Sequence, residues 1–318
     1  MADVDDRGQL MLVGALTLAV MLVALAVLLN AAIYTGNVAT RDAGPGTAEV
    51  IEYEDEATSM ARQVIQSMDD SDYPTLRGNF TDAVDGWSEA TSAHSSVGLA
   101  DASLEPVGDP DPGTEIRQST SRNVTSASEA ANWTVANDTA VRAFRMNLSQ
   151  DSLATPNNVF TDLLTDESPG YYYAEFDDGS SVYRVQVRGT DDGDAIVRVL
   201  DGANNQVGSD CETTEDRVLV DVTGATVGGD ACPALGTVFD NLGDTYTLSY
   251  RNSETAKGTY SMVVDSRIGK LSTGADTTGS AEPSATRTLY GADLRVTYRS
   301  ADVYYRSEFR VAPGEPDA

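Results

Sequence analysis

Few side chains in this sequence are of the types that perform chemistry, and their spacing limits what they can do. The single histidine, His94, lies in the segment TSAHSSVG. A Ser-His-Asp relay needs an imidazole beside an exposed nucleophile, and no Gly-x-Ser-x-Gly turn supplies one. Neither a phosphate-cradling Gly-x-x-x-x-Gly-Lys-Ser/Thr loop nor a His-Glu-x-x-His zinc motif occurs. A carboxylate pair for glycoside hydrolysis can be drawn in many ways from 50 acids, and such abundance points to hydration rather than to one pair. Asp109, Asp111 and Glu115 in GDPDPGTE offer oxygen ligands for Ca²⁺, but the full loop signature is missing. A solvated acidic turn is the expectation. No enzymatic activity, metal or cofactor is expected.

Cys211 and Cys232 are an even pair with no companion histidine or third cysteine. That suits one disulfide better than a metal site, with two buried free thiols as the alternative. A bridge would close a loop of about 22 residues and constrain the unfolded chain by roughly 3 kcal/mol. Five N-glycosylation acceptors, Asn79, Asn123, Asn132, Asn137 and Asn147, each begin an Asn-x-Ser/Thr triplet. Their clustering favours an exterior location for the chain beyond residue 79.

The elements that must position these residues carry an unusual charge. The net charge is −29, with 34 Asp and 16 Glu against 19 Arg and only Lys257 and Lys270. Such a surface repels itself at low ionic strength and is screened by concentrated salt. The acid is spread along the chain rather than gathered in blocks, which favours a halophile's folded protein over an acidic tail. Nucleic acid is excluded as a partner, because phosphate contacts need clustered Lys and Arg.

Leu10 to Leu29 is an uncharged run of 20 residues, diluted only by Gly14 and Thr17. As a helix it would span about 30 Å, one bilayer core. A cleaved secretory signal has an apolar core of only ~7–15 residues behind a basic leader, whereas this leader carries Asp3, Asp5 and Asp6 against Arg7. The expectation is a leader at 1–8, a transmembrane helix at 9–34 and the lipid bilayer as a partner. Arg7 and Arg41 leave the positive-inside count tied. The glycosylation acceptors and the cysteine pair then orient the chain, with the N-terminus cytoplasmic and the C-terminal part outside.

Arg7-Gly8-Gln9-Leu10, abutting the apolar run, resembles the archaeal type IV prepilin (class III) signal. The stretch from Asp5 to Arg41 is similar to haloarchaeal pilin-like membrane proteins of a family of unknown function. The resemblance implies cleavage between Gly8 and Gln9 by a prepilin peptidase, with retention of the apolar helix and other pilins as partners. The chain departs from adhesion pilins, since it lacks their glutamine-serine-glutamate-type motif and is longer. A minor pilin, a pilin-like surface protein and an uncleaved anchor are therefore the forms the resemblance leaves open.

Beyond the apolar run, Gly44-Pro45-Gly46 should break the helix. Val50, Ala57, Ala61, Val64 and Met68 form one helical stripe. Leu76, Phe80, Val84 and Trp87 form a second, in a helix opening at Asp72 with Pro74 in its first turn. Residues 35–91 are thus expected as a helical stalk, and the Ser/Thr/Asp/Pro/Gly-rich stretch 92–131 as loop or linker. From 132 to 313 the period becomes two, with hairpin signals at Asp178-Gly179 and Asp192-Gly193. In TAVRAFRMNLS, Arg142 falls on the otherwise apolar face of Ala140, Phe144, Met146 and Leu148. The expected fold class is α+β: a long N-terminal transmembrane or stalk helix, further helices, and an antiparallel, sandwich-like β-rich domain.

Overall fold

The computed structural model describes residues 47–68, 72–95, 101–156, 170–301 and 303–313. Helix α1, Thr47–Ser67, buries Val50, Tyr53, Ala57, Ala61 and Ile65 along one stripe and exposes Glu49, Glu52, Asp55, Glu56 and Arg62. Helix α2, Tyr73–Ser95, opens where the Thr75 amide donates to Asp72 Oδ1 at 2.8 Å, satisfying one orphan donor of the first turn. Its stripe of Leu76, Phe80 and Val84 is buried, and Trp87 packs on Tyr53 with ring centroids 5.1 Å apart.

The two helices are not an extended stalk. They cover one face of a three-stranded base sheet: β1 (Asp101–Pro106), the second half of β14 (Ser284–Arg299), and β15 (Tyr304–Val311). Ala102, Leu104, Leu294, Val296, Tyr298 and Val311 point at the helices and complete a core with them. The Tyr298 and Tyr305 hydroxyls donate to Glu49 and Glu54 at 2.8 and 2.7 Å. At the other end of α1, Thr288 Oγ1 donates to the Met68 carbonyl at 3.3 Å. Helix α1 therefore begins at the far end of β14 and runs back towards its middle.

The first half of β14 continues into a β-sandwich. In the first sheet it pairs with β2 (Asp111–Asn123), followed by β13 (Lys257–Val264), β4 (Val141–Ser149), β9 (Arg217–Asp221), β10 (Thr226–Val227) and β11 (Asp230–Ala231). The second sheet runs β3 (Trp133–Thr139), β12 (Tyr246–Arg251), β5 (Tyr172–Asp177), β6 (Val182–Gly189), β7 (Ala195–Asp201) and β8 (Gln206–Thr213). Every pairing between these strands is antiparallel. Asp178-Gly179 and Asp192-Gly193 turn β5 into β6 and β6 into β7, with the glycines at φ 85° and 92°. Between the sheets, Tyr250 meets Trp133, Tyr172 and Tyr260 edge-on at 5.3–5.5 Å. Helix α3, Pro233–Asp240, buries Ala234, Leu235 and Val238 in the same core.

These observations correct the expected α+β class. The described residues are mostly antiparallel β-sheet with three helices, and among them no helix is long and apolar enough to cross a membrane. No long N-terminal stalk helix exists among them; the expected span at 9–34 lies outside the described residues. Strands β1 and β2 also run through the stretch expected as linker. Their inward positions include Thr114 and Gln118, buried polar residues that donate to the Ser266 carbonyl at 2.6 Å and the Gly258 carbonyl at 2.8 Å. A strand whose core face is partly polar has no hydrophobic alternation to read. Arg142 likewise leaves the core: a register shift of β4 against β13 lets Val141 and Phe144 both turn inward.

Candidate functional surface

The residues singled out by type do not converge. Asp109 pairs with Arg77 at 2.7 Å, Asp111 with Arg310 at 2.8 Å, and Glu115 accepts from Ser261 Oγ at 2.9 Å. They serve three separate partners, and among the described residues no group of three His, Cys, Asp or Glu is arranged to hold a metal ion. His94 falls in the last turn of α2. Gly8 and Gln9 lie outside the described residues. Cys211 of β8 and Cys232, immediately before α3, are joined in a disulfide with Cα atoms 5.8 Å apart. The bridge ties α3 to the edge of the second sheet, beside a cleft of about 520 Å³ lined by Asp210, Glu212, Asp230 and Thr237.

The glycosylation acceptors divide by environment. Asn79 on α2, Asn123 at the end of β2 and Asn132 before β3 are exposed. Asn137 is half-buried, and its Oδ1 accepts from the Ser272 amide at 2.6 Å. Asn147 is half-buried in β4, flanked by Thr259 of β13 and Leu219 of β9.

The outer face of the second sheet is the arrangement with the most chemistry. Alternation in β5, β6 and β7 turns Tyr173, Glu175, Arg184, Gln186, Arg188 and Arg198 away from the core. Arg251 of β12 and Asp210 of β8 extend the row. Glu175 is shared by Arg184 at 2.8 Å and Arg251 at 3.3 Å, and Asp210 holds Arg198 at 2.5 Å. The hydrogen bond from Arg198 lowers the Asp210 carboxyl below its ordinary range, and burial opposes the shift only in part. Arg184 and Arg188 lie over the rings of Tyr173 and Tyr171 at 5.8 and 5.7 Å. Arg188 makes no contact ion pair among the described residues, although its charge helps to lower Asp210, and its Nε is buried without a hydrogen bond. On a chain of net charge −29, this face, with Arg184, Arg188, Arg198 and Arg251 against Glu175, Asp210 and Glu212, carries a small local excess of positive charge. Arg184, Gln186 and Arg188 alternating with valines in VYRVQVRG, and Arg198 between valines in IVRVL, were its sequence signal.

A second opening, about 540 Å³, lies between β4 and α3 beside Arg142, Phe239 and Tyr246. Arg142 is already committed there, pairing with Asp265 at 2.7 Å and lying 5.2 Å from the Tyr290 ring centroid. The Tyr246 hydroxyl accepts from the Val141 amide at 2.9 Å, and burial pushes its pKa up to about 12. These groups hold the bulge in place and are unavailable for proton transfer near neutrality.

A family of unknown function (DUF7261) matches residues 4–94. The match covers the apolar run and both base helices, and it stops short of the first strand. No curated protein and no solved structure matches the chain.

Proposed function

We propose that this chain is a pilin-like, membrane-anchored cell-surface protein of a halophilic archaeon, with the N-terminus cytoplasmic and the sandwich outside. The observation that carries this reading is the uncharged run Leu10–Leu29, placed directly behind Arg7-Gly8-Gln9. Two structural relationships support it. Helix α1 starts at the end of the base farthest from the sandwich, so an anchor preceding Thr47 would hold the sandwich away from the bilayer. The disulfide and the exposed Asn79, Asn123 and Asn132 also suit an exterior compartment. In this reading the partners are the bilayer, the prepilin peptidase and other pilins, and the role is minor-pilin assembly or adhesion. Mass spectrometry of the mature N-terminus, with and without the peptidase, tests it. Loss of residues 1–8 only when the peptidase is present is the expected result; an intact leader in both strains overturns the pilin assignment.

The outer face of the second sheet favours a second reading, a non-assembling anchor whose sandwich binds an anionic partner. Arg188, which makes no contact ion pair among the described residues, is the group such a partner would meet first. Titration with a carboxylated polysaccharide at fixed salt should then show binding that Arg188→Ala weakens. No binding by the unaltered chain removes this reading.

A further inference from the structure

The base sheet treats its two edges differently. Along β1 the edge is covered by α2, and the Leu104 amide donates to Ser88 Oγ at 2.9 Å. Strand β15 pairs only with β14 among the described residues. Its other side leaves backbone donors and acceptors open to a further strand. Natural edges prevent such pairing with a proline, a bulge, a charge turned towards the core or charged side chains along the edge. Between Tyr304 and Val311 only the last occurs, as Arg306, Glu308 and Arg310. The pairing with β14 runs without a register shift, and the first proline is Pro313. The side chains facing the helices are Tyr305, Ser307, Phe309 and Val311.

The charges of β15 all lie on the opposite, solvent face, in the order Tyr304, Arg306, Glu308, Arg310. That order is self-complementary about Ser307. Set antiparallel to a second copy with Ser307 opposite Ser307, each Arg306 faces the partner's Glu308 and each Tyr304 faces the partner's Arg310. Within each chain Arg295 of β14 already holds Glu308 Oε1 at 2.7 Å, and Arg310 is itself paired with Asp111 and Asp293. On the helix side, Tyr305 meets the partner's Phe309, two half-buried aromatics whose remaining exposure would be removed. Shifting the centre to Arg306 or Glu308 would instead place like charges opposite each other.

We propose that β15 is a homodimerisation edge, pairing with β15 of a second copy about a two-fold axis through Ser307 and merging the two base sheets. This is β-strand addition in isologous form. It depends neither on leader cleavage nor on the anchor. The obstacle is long-range repulsion between two chains of −29. In molar salt the screening length falls to about 3 Å, which removes that term while contact pairs and apolar burial persist.

The test uses the full chain in detergent and molar salt. The native cysteines are bridged, so Ser307→Cys introduces the reactive thiol. Across an antiparallel pair its Cα would lie about 4.5–5.5 Å from its counterpart, within disulfide reach. Mild oxidation should give a covalent dimer from Ser307→Cys and none from Ser103→Cys on the base sheet's other edge. Adding Arg306→Glu puts like charges at two symmetric contacts and should weaken dimerisation about tenfold. Adding Glu308→Arg to that variant, with Arg295→Glu to keep the cross-strand pair within each chain, restores the contacts between chains and should restore the dimer. A monomeric Ser307→Cys chain overturns the proposal. Cross-linking that ignores Arg306→Glu, or that Ser103→Cys shows equally, also overturns it.

Discussion

The hydroxyl of Tyr73 donates to the carbonyl oxygen of Gly113 at 3.0 Å, and it accepts from the Ile268 amide at the same distance. One side chain at the start of α2 thereby fastens the base to the first strand of the sandwich and to the turn after β13. Arg267 covers the ring, 5.4 Å from its centroid. Gly113 is itself crowded from β13 and β14, since a Cβ there would stand 2.5 Å from the Val264 carbonyl oxygen and 3.1 Å from the Tyr290 ring.

Removing the hydroxyl tests that fastening. Tyr73→Phe keeps the ring and strands both backbone groups, at a cost of about 1–3 kcal/mol. Chemical denaturation should report the loss, and hydrogen exchange should speed up at Ile268 before the sandwich core. Unchanged stability and exchange would show that water replaces the hydroxyl at no cost. Gly113→Ala should be worse, because the clash is with backbone that cannot swing aside.

The disulfide predicts a stability difference with no change of fold. Reducing Cys211–Cys232 releases a loop of sequence separation 21, worth roughly 3 kcal/mol of unfolded-state entropy. Denaturation with and without reductant measures it. Because Cys232 is fully buried ahead of α3, the C211S/C232S chain should lose at least as much. Equal midpoints in both conditions would mean the bridge constrains nothing.

Acid should loosen the turn before β14. Asp276 accepts from the Thr278 amide and hydroxyl at 3.0 and 2.8 Å and from the Ala281 amide at 2.8 Å. These bonds favour the carboxylate and lower its pKa from 3.8 to about 2. A carboxyl with a depressed folded pKa stabilises the fold above its unfolded value. That contribution is lost as pH falls from about 4 through about 2. Asp178 and Asp201, lowered by comparable turn hydrogen bonds, act in the same direction. Denaturation midpoints between about pH 5 and pH 2 should fall less steeply for Asp276→Asn than for the unaltered chain. Parallel curves would rule out this carboxylate as a contributor.

If the sandwich is exterior, glycans should follow exposure. Asn79, Asn123 and Asn132 should be occupied, and Asn147, half-buried between two strands, should be the emptiest acceptor. Glycopeptide mass spectrometry of the native protein decides it. Full occupancy at Asn147 would contradict the packing of β4 against its neighbours.

Legibility varied along the chain for physical reasons. The Asp-Gly turns were readable because φ above zero demands glycine there, and the stripes of α1 and α2 because helices repeat every 3.6 residues. The α1 stripe shifts at its end, with Ile65 buried and the expected Val64 and Met68 packed against the same core but half-buried. Strands β1 and β2 were hidden by composition: Thr114, Gln118 and Ser119 resemble loop residues until tertiary partners satisfy them. The arginine face was visible only as alternation, because no local signal marks which side of a strand stays uncovered. The edge of β15 became apparent only once β14 had taken its place beside it.

Strand β14 also has a mechanical consequence. Its 16 residues extend for about 50 Å, hydrogen-bonded to β2 in the sandwich over the first half and to β1 and β15 over the second. Tension drawn between the start of α1 and the sandwich acts along this strand. The ladders on either side are then loaded lengthwise, so their bonds must rupture together rather than unzip one by one. The two modules are thus joined by a continuous strut, and a pull on α1 reaches it through the helix packing and the Tyr298–Glu49 and Thr288–Met68 hydrogen bonds rather than by straightening a flexible linker.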